Sequence, residues 1–178
     1  MTGNFSAVPR YTRGVRLPAA GLLVIALVGV ASAAPGPNQI SVGVAEEIGV
    51  LSTTHTSATA AYTRRLWANR AYVEGRFSLG TSGNLMFIEE RVAAGFVFAP
   101  SHRVELLVGW RLGESYLRGE INSADFRIHL LAVELAIELV VSVKAGWLIR
   151  AAPLVPTLYW NKTYGGSLGL EIGVGHAF

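Results

Sequence analysis

Residues 167–178 read SLGLEIGVGHAF and alternate without a slip. Leu168, Leu170, Ile172, Val174, His176 and Phe178 share one parity, and Ser167, Gly169, Glu171, Gly173, Gly175 and Ala177 share the other. Successive side chains on a β-strand point to opposite faces, so this segment is a strand with one greasy face and one small or polar face.

The same two-residue period recurs upstream. Ile40, Val42, Val44, Ile48 and Val50 oppose Ser41, Gly43, Ala45, Glu47 and Gly49. Ala71, Val73, Phe77 and Leu79 oppose Arg70, Tyr72, Glu74, Arg76 and Ser78, while Val92, Ala94, Phe96 and Phe98 oppose Arg91, Ala93 and Gly95. Val104, Leu106, Val108, Trp110 and Leu112 oppose Glu105, Gly109 and Arg111. Over residues 131–149 the odd positions are apolar, and the even ones include Glu134, Glu138, Lys144 and Gly146. Glu134 and Glu138 are also one helical turn apart, but the sustained alternation and the valines favour strand. Glu46 and Glu90 break the apolar parity and read as bulges or register breaks.

Residues 80–83 (GTSG) and 99–102 (APSH) are compact turns. Residues 113–124 and 151–166 are more polar or proline-broken and read as loops. The stretch 131–149 is long for one strand and lacks a turn signal, so a break is placed over 139–142. A strand is placed around 57–67 in the least legible stretch, 52–68. The total is about eight strands of roughly ten residues, the length of membrane-spanning β-strands.

Composition bounds the rest. The chain has 178 residues, 51% hydrophobic and 15% charged, with no cysteine, 15 Lys+Arg and 12 Asp+Glu. Disulfide frameworks and thiolate metal clusters are therefore excluded. The basic excess lies in Arg10, Arg13 and Arg16, and the rest of the chain is formally neutral. No basic face remains for nucleic acid. These arginines precede an apolar run over 17–30 and an Ala-Ser-Ala site at 31–33, the pattern of a cleavable signal peptide. The expected organisation is a signal peptide over 1–33, a linker over 34–38 and a β-domain over 39–178.

Orientation decides the class. A soluble barrel turns its apolar face inward, whereas a membrane barrel turns it out. Taking strand parity literally, the polar face carries Glu47, Glu74, Glu89, Glu105, Glu134, Glu138 and Glu171 against Arg70, Arg76, Arg91, Arg111, Lys144 and Arg150. Charges of both signs can pair inside a confined lumen, where isolated charge is expensive. Glycine on that face gives long charged side chains room. Aromatics gather at strand ends: Phe96, Phe98 and Phe178 at one rim, and Trp110, Trp147, Tyr116, Tyr159, Trp160 and Tyr164 at or beyond the other, as in a two-girdle membrane barrel.

With a signal peptide, alternating strands and a terminal strand ending in Phe178, the chain resembles the small outer-membrane β-barrel family of the OmpA/OmpX type. The resemblance implies an all-β, closed, antiparallel up-and-down transmembrane barrel of about eight strands in contact with outer-membrane lipid. It also implies that Leu168, Leu170, Ile172, Val174 and Phe178 form the signal read by the barrel-assembly machinery. His176 departs from the bulky or aromatic residue usual at its position.

Chemistry is sparse in the sequence. His55, His102, His129 and His176 form no H-x-x-x-H pair, and there is no G-x-S-x-G elbow or P-loop. Some barrels of the resembled family modify lipid A, which directs attention to His55 and Ser57, two apart on one strand face; no asparagine follows that serine, as it does in the deacylases. The expectation is a non-enzymatic barrel without cofactor or metal and with no nucleic-acid partner. Its role would be structural, or adhesion and recognition through loops 113–124 and 151–166. A small-solute channel, with lateral entry of hydrophobic compounds, and a soluble periplasmic ligand-binding barrel are the alternatives. N-terminal sequencing of the exported protein is expected to start at Ala34; retention of Arg16 would overturn the signal-peptide reading.

Overall fold

A computed structural model describes residues 36–49, 54–83, 85–98, 103–121, 124–161 and 164–178. The signal-peptide reading over 1–33 and the turn over 99–102 lie outside the described residues. The strands are β1 (Asn38–Gly49), β2 (Thr54–Leu66), β3 (Ala71–Ser82), β4 (Leu85–Phe98), β5 (Val104–Ile121), β6 (Ala124–Ser142), β7 (Trp147–Trp160) and β8 (Tyr164–Ala177). Each pairs antiparallel with the next, and β1 pairs with β8, so the sheet closes into an up-and-down barrel. The seam is fastened where Asn38, at the start of β1, and Phe178 exchange backbone hydrogen bonds of 2.9 and 3.2 Å.

Closure fixes the tilt. From Val44, strand partners run through Ala58, Leu79, Ile88 and Tyr116 to His129 on β6. In the other direction they run through Ile172 and Ala151 to Leu139 on the same strand. The offset from His129 to Leu139 is the stagger of the closed sheet, and strands in such barrels lean about 35–45° from the axis.

The polarity is inverted relative to a soluble protein. Val42, Phe96, Leu158 and Val92 stand 57–67% exposed on the outer wall, while Arg111 and Glu134 inside are 1% and 2% exposed. That arrangement excludes the soluble ligand-binding barrel, which needs its apolar face within. It suits hydrocarbon, where every backbone polar group must find an internal partner and a closed sheet leaves no edge.

Several sequence expectations change. The break placed over 139–142 falls later: β6 continues to Ser142, and a 3-10 turn at Lys144–Gly146 leads into β7. Ala145 (φ 59°) and Gly146 (φ 80°) are both left-handed there, and an alanine in that region carries no turn signal. The 80–83 turn is also displaced, since β3 runs to Ser82 and Gly83 makes the turn with φ 58°. Most of 113–124 and 151–166, read as loops, belongs to β5, β7 and β8. Pro153 and Pro156 do not end β7. Both lie in the register shift toward β6, between Ala151 and Thr157, and Pro153 also lies in the shift toward β8, between Ala152 and Val155, where a missing N–H is tolerated. Glu46 and Glu90 mark no bulge: both pair in unbroken register and point outward.

The girdle is rearranged too. Trp147 pairs with His176 beside Phe178, so it belongs to the terminus-bearing rim with Phe96 and Phe98. Trp110, opposite Ala94 and Leu135, lies part-way down the wall, and Trp160 marks the far rim. At the terminus rim His176 takes an aromatic role, meeting Trp147 edge-on at 5.5 Å between ring centroids.

A charge on the middle of the outer wall is expected to destabilise the barrel. Val44→Arg should cost about 2–4 kcal/mol, read as a lowered urea midpoint for folding in lipid vesicles, whereas Val44→Leu should leave the midpoint unchanged.

Candidate functional site

The inward parity builds the interior in two levels. Near the terminus end, Tyr72, Ala93, Leu107, Val140, Leu148 and Ala177 pack into a small apolar plug with Val97 against it. Tyr72 lies across Gly95 and Gly109: a Cβ at either would come within 2.8 or 2.6 Å of its ring or hydroxyl. Sequence reasoning missed this plug. Its signal is apolar residues on both parities at one end of the strands, as in Leu106-Leu107, Leu139-Val140-Val141 and Trp147-Leu148.

Above the plug lies a continuous set of ion pairs. Arg150 donates through Nε to Glu138 at 2.8 Å and through Nη2 to Glu138 at 2.6 Å and Glu74 at 2.5 Å. Its Nη1 donates to Ser41 at 2.9 Å and Thr63 at 3.0 Å, and Thr63 donates to Glu74 at 2.8 Å. Arg111 lies against Glu134 and within 3.4 Å of both Glu74 and Glu138. Arg76 pairs with Glu171 and, at 3.2 Å, with Glu74. Arg91 bridges Glu134 and, at 2.7 Å, Glu89. Arg76 and Arg91 face each other across β3 and β4, so these carboxylates also relieve a like-charge cross-strand pair.

Of the residues assigned to the lumen from sequence, Glu47, Glu74, Arg76, Glu89, Arg91, Glu105, Arg111, Glu134, Glu138, Arg150 and Glu171 are buried inside. Arg70 and Lys144 are not: both are exposed in turns at the terminus end. Trp67, Ala68 and Asn69 all take positive φ, which ends β2 and carries Arg70 out of the alternation. Arg65, unassigned from sequence, is buried instead and pairs with Glu105 at 2.5 Å. Leu170 and Ile172 are half-buried on the outer wall, and Val174 and Phe178 are exposed there.

At the end away from the termini, Glu47 pairs with His55 at 3.2 Å and accepts hydrogen bonds from Tyr159, at 2.6 Å, and from Ser167. His55 also stacks on Phe87, with centroids 4.5 Å apart. Its imidazole is thus engaged by Glu47 and Phe87, although Ser57 shares its inward face.

On the same end β5 and β6 outrun their neighbours. Their pairing extends to Ile121 and Ala124, but the pairing of β6 with β7 begins only at Leu131 and Trp160. The side chains of Arg118, Arg127, Ile128 and His129 are exposed on this hairpin, and Arg118 lies directly opposite Arg127.

The closed eight-stranded sheet has solved counterparts. The neisserial surface protein A superposes with a TM-score of 0.66 at 12% identity, covering 80% of this chain and 98% of that one. Ail, the attachment invasion locus protein of Yersinia pestis, gives 0.59 at 17% identity, covering 81% and 99%; it has also been solved with the heparin analogue sucrose octasulfate. The N-terminal barrel domain of Pseudomonas aeruginosa OprF gives 0.55 at 9% identity, covering 79% and 98%. The chain has the fold of the small outer-membrane β-barrels. With the lipid-facing wall described above, this fold places the protein in an outer membrane. No protein-family model and no curated protein sequence matches the chain.

Removing one partner of a buried ion pair strands the others. Arg150→Met is expected to lower folding stability by about 3–5 kcal/mol, measured by urea titration in detergent. Arg150→Lys should recover only part, because an ammonium cannot reproduce the guanidinium fork.

Proposed function

We propose that this protein is a non-catalytic, non-conducting envelope barrel whose extended β5–β6 hairpin recognises anionic surfaces. The observation that carries the reading is the hairpin itself. It projects past β7, and it holds Arg118 and Arg127 side by side with exposed side chains. Like charges directly across two strands are destabilising, and a shared sulfate, phosphate or carboxylate relieves the repulsion. Ail, solved with a sulfated sugar, shares the fold and so supports an anionic glycan as the recognised chemistry.

The interior supports the non-conducting part. Ion pairs reach across the lumen between strands on opposite sides, as from Arg150 on β7 to Glu74 on β3, and the apolar plug lies beneath them. An eight-stranded barrel is just wide enough to be filled by its own side chains. Assembly through the barrel-assembly machinery, reading Phe178 and the alternating apolar residues before it, belongs to the same proposal.

Two measurements test it. Purified barrel should be retained on immobilised heparin in a salt-dependent way, and the Arg118→Ala, Arg127→Ala double variant should elute with the unretained fraction while still showing heat-shifted migration on gels. Equal retention of the double variant would overturn the recognition reading. In planar bilayers the protein should give no stepwise current; reproducible single-channel steps would restore the small-solute channel.

A further inference from the structure

The lumen is not electrically balanced. Among the described residues it buries seven carboxylates against five guanidiniums, Arg65 included. Most of the carboxylates are matched deep inside: Arg65 serves Glu105, while Arg76, Arg111 and Arg150 between them serve Glu74, Glu138 and Glu171. The surplus gathers at the end away from the termini. Arg91 is shared between Glu89 and Glu134, the latter also held by Arg111, and the ion-pair partner of Glu47 is the imidazole of His55. Two unmatched negative charges in a low-dielectric interior carry a heavy desolvation cost.

We propose that Glu47, His55 and Glu89 bind a divalent transition-metal ion of the zinc or manganese class at this mouth of the barrel. Imidazole and carboxylate donors suit such ions, and a charge of +2 closes the deficit. One ligand atom from each residue lies within 4.8 Å of the other two, and all three residues are buried. Donors around a four-coordinate zinc stand about 3.4 Å apart, so inward movements of about an ångström complete the site. The surroundings already hold the donors. The Tyr159 hydroxyl lies 2.6 Å from Glu47 and 3.3 Å from Glu89, Ser115 donates to Glu89 at 2.8 Å, and Phe87 fixes the plane of His55. Arg91 keeps its second nitrogen on Glu134 when Glu89 turns to the metal. Beneath the trio a cavity of about 30 Å³, lined in part by Glu47, Glu89 and Glu171, has room for one water as a further ligand.

The test uses the intact barrel extracted in detergent and stripped with a chelator. Titration with Co²⁺ is expected to produce visible d–d absorption, and calorimetry with Zn²⁺ to give one ion per barrel, with Mg²⁺ as the control cation. His55→Ala should abolish the absorption, Tyr159→Phe should weaken zinc binding about tenfold, and Glu90→Gln, which alters the outward neighbour of Glu89, should change neither. Absence of saturable binding, or unchanged affinity in a His55→Ala barrel with heat-shifted migration, overturns the proposal. Should that variant fail to fold, zinc protection of His55 against diethyl pyrocarbonate in the unaltered protein decides the matter. Slower modification supports the site, and an unchanged rate overturns it.

Discussion

The guanidinium of Arg150 touches residues from four other strands: Ser41 on β1, Thr63 on β2, Glu74 on β3 and Glu138 on β6. Among the described residues the apolar side supplies the interior with one small plug around Tyr72, Leu107 and Leu148, because most large hydrophobic side chains face outward. In a soluble domain burial of grease drives collapse; here the wall gains nothing from facing inward, and the interior is knit by ionic hydrogen bonds in its place. Such pairs contribute little net stability when complete, but each is costly to break. They therefore act more as a specification of register than as a source of free energy, since a one-residue slip of any strand would turn its charges into hydrocarbon.

The interior is graded along its axis. Apolar side chains fill the end that carries Asn38 and Phe178, ion pairs fill the middle, and further carboxylates collect at the opposite mouth. A plug, a lock and an acidic vestibule follow one another within a single narrow tube. This order supports the proposed non-conducting reading, because an ion entering the mouth meets carboxylates first, then the matched ion pairs and the apolar plug. The hairpin lies at the same end as the vestibule, and its facing arginines, Arg118 and Arg127, are followed toward the tip by the facing acids Glu120 and Asp125.

Most of the architecture was legible from a period of two, because a strand between lipid and lumen must alternate and little else in the sequence disturbs it. Val44, Arg111 and Glu134 all face as their parity requires. Failures arose where a local backbone event has no compositional mark. Arg70 follows three consecutive left-handed residues, and Lys144 sits before a left-handed alanine; parity counted through such turns assigns both wrongly. The prolines of β7 misled in the other direction, since the closed sheet absorbs them in register shifts instead of ending the strand. The trio of Glu47, His55 and Glu89 was not legible at all. Its members come from three strands, and only the barrel register brings their donor atoms together.

The doublets Glu46-Glu47 and Glu89-Glu90 show how far position overrides residue type. Glu47 and Glu89 meet inside the mouth, and their chain neighbours Glu46 and Glu90 stand on the outer wall, with Glu90 directly opposite Glu114. A carboxylate in the middle of hydrocarbon would be untenable, so the depth of these residues must be set by the apolar band. From Phe98 at the terminus rim to Glu90, eight residues of a strand leaning by about 40° rise roughly 20 Å, against an apolar band about 25 Å tall. The remaining few ångströms are within the reach of a glutamate side chain bending toward the polar layer. The outward glutamates are thus not flaws in the alternation. They mark, on the outside of the wall, the level at which the lumen inside opens to its acidic mouth.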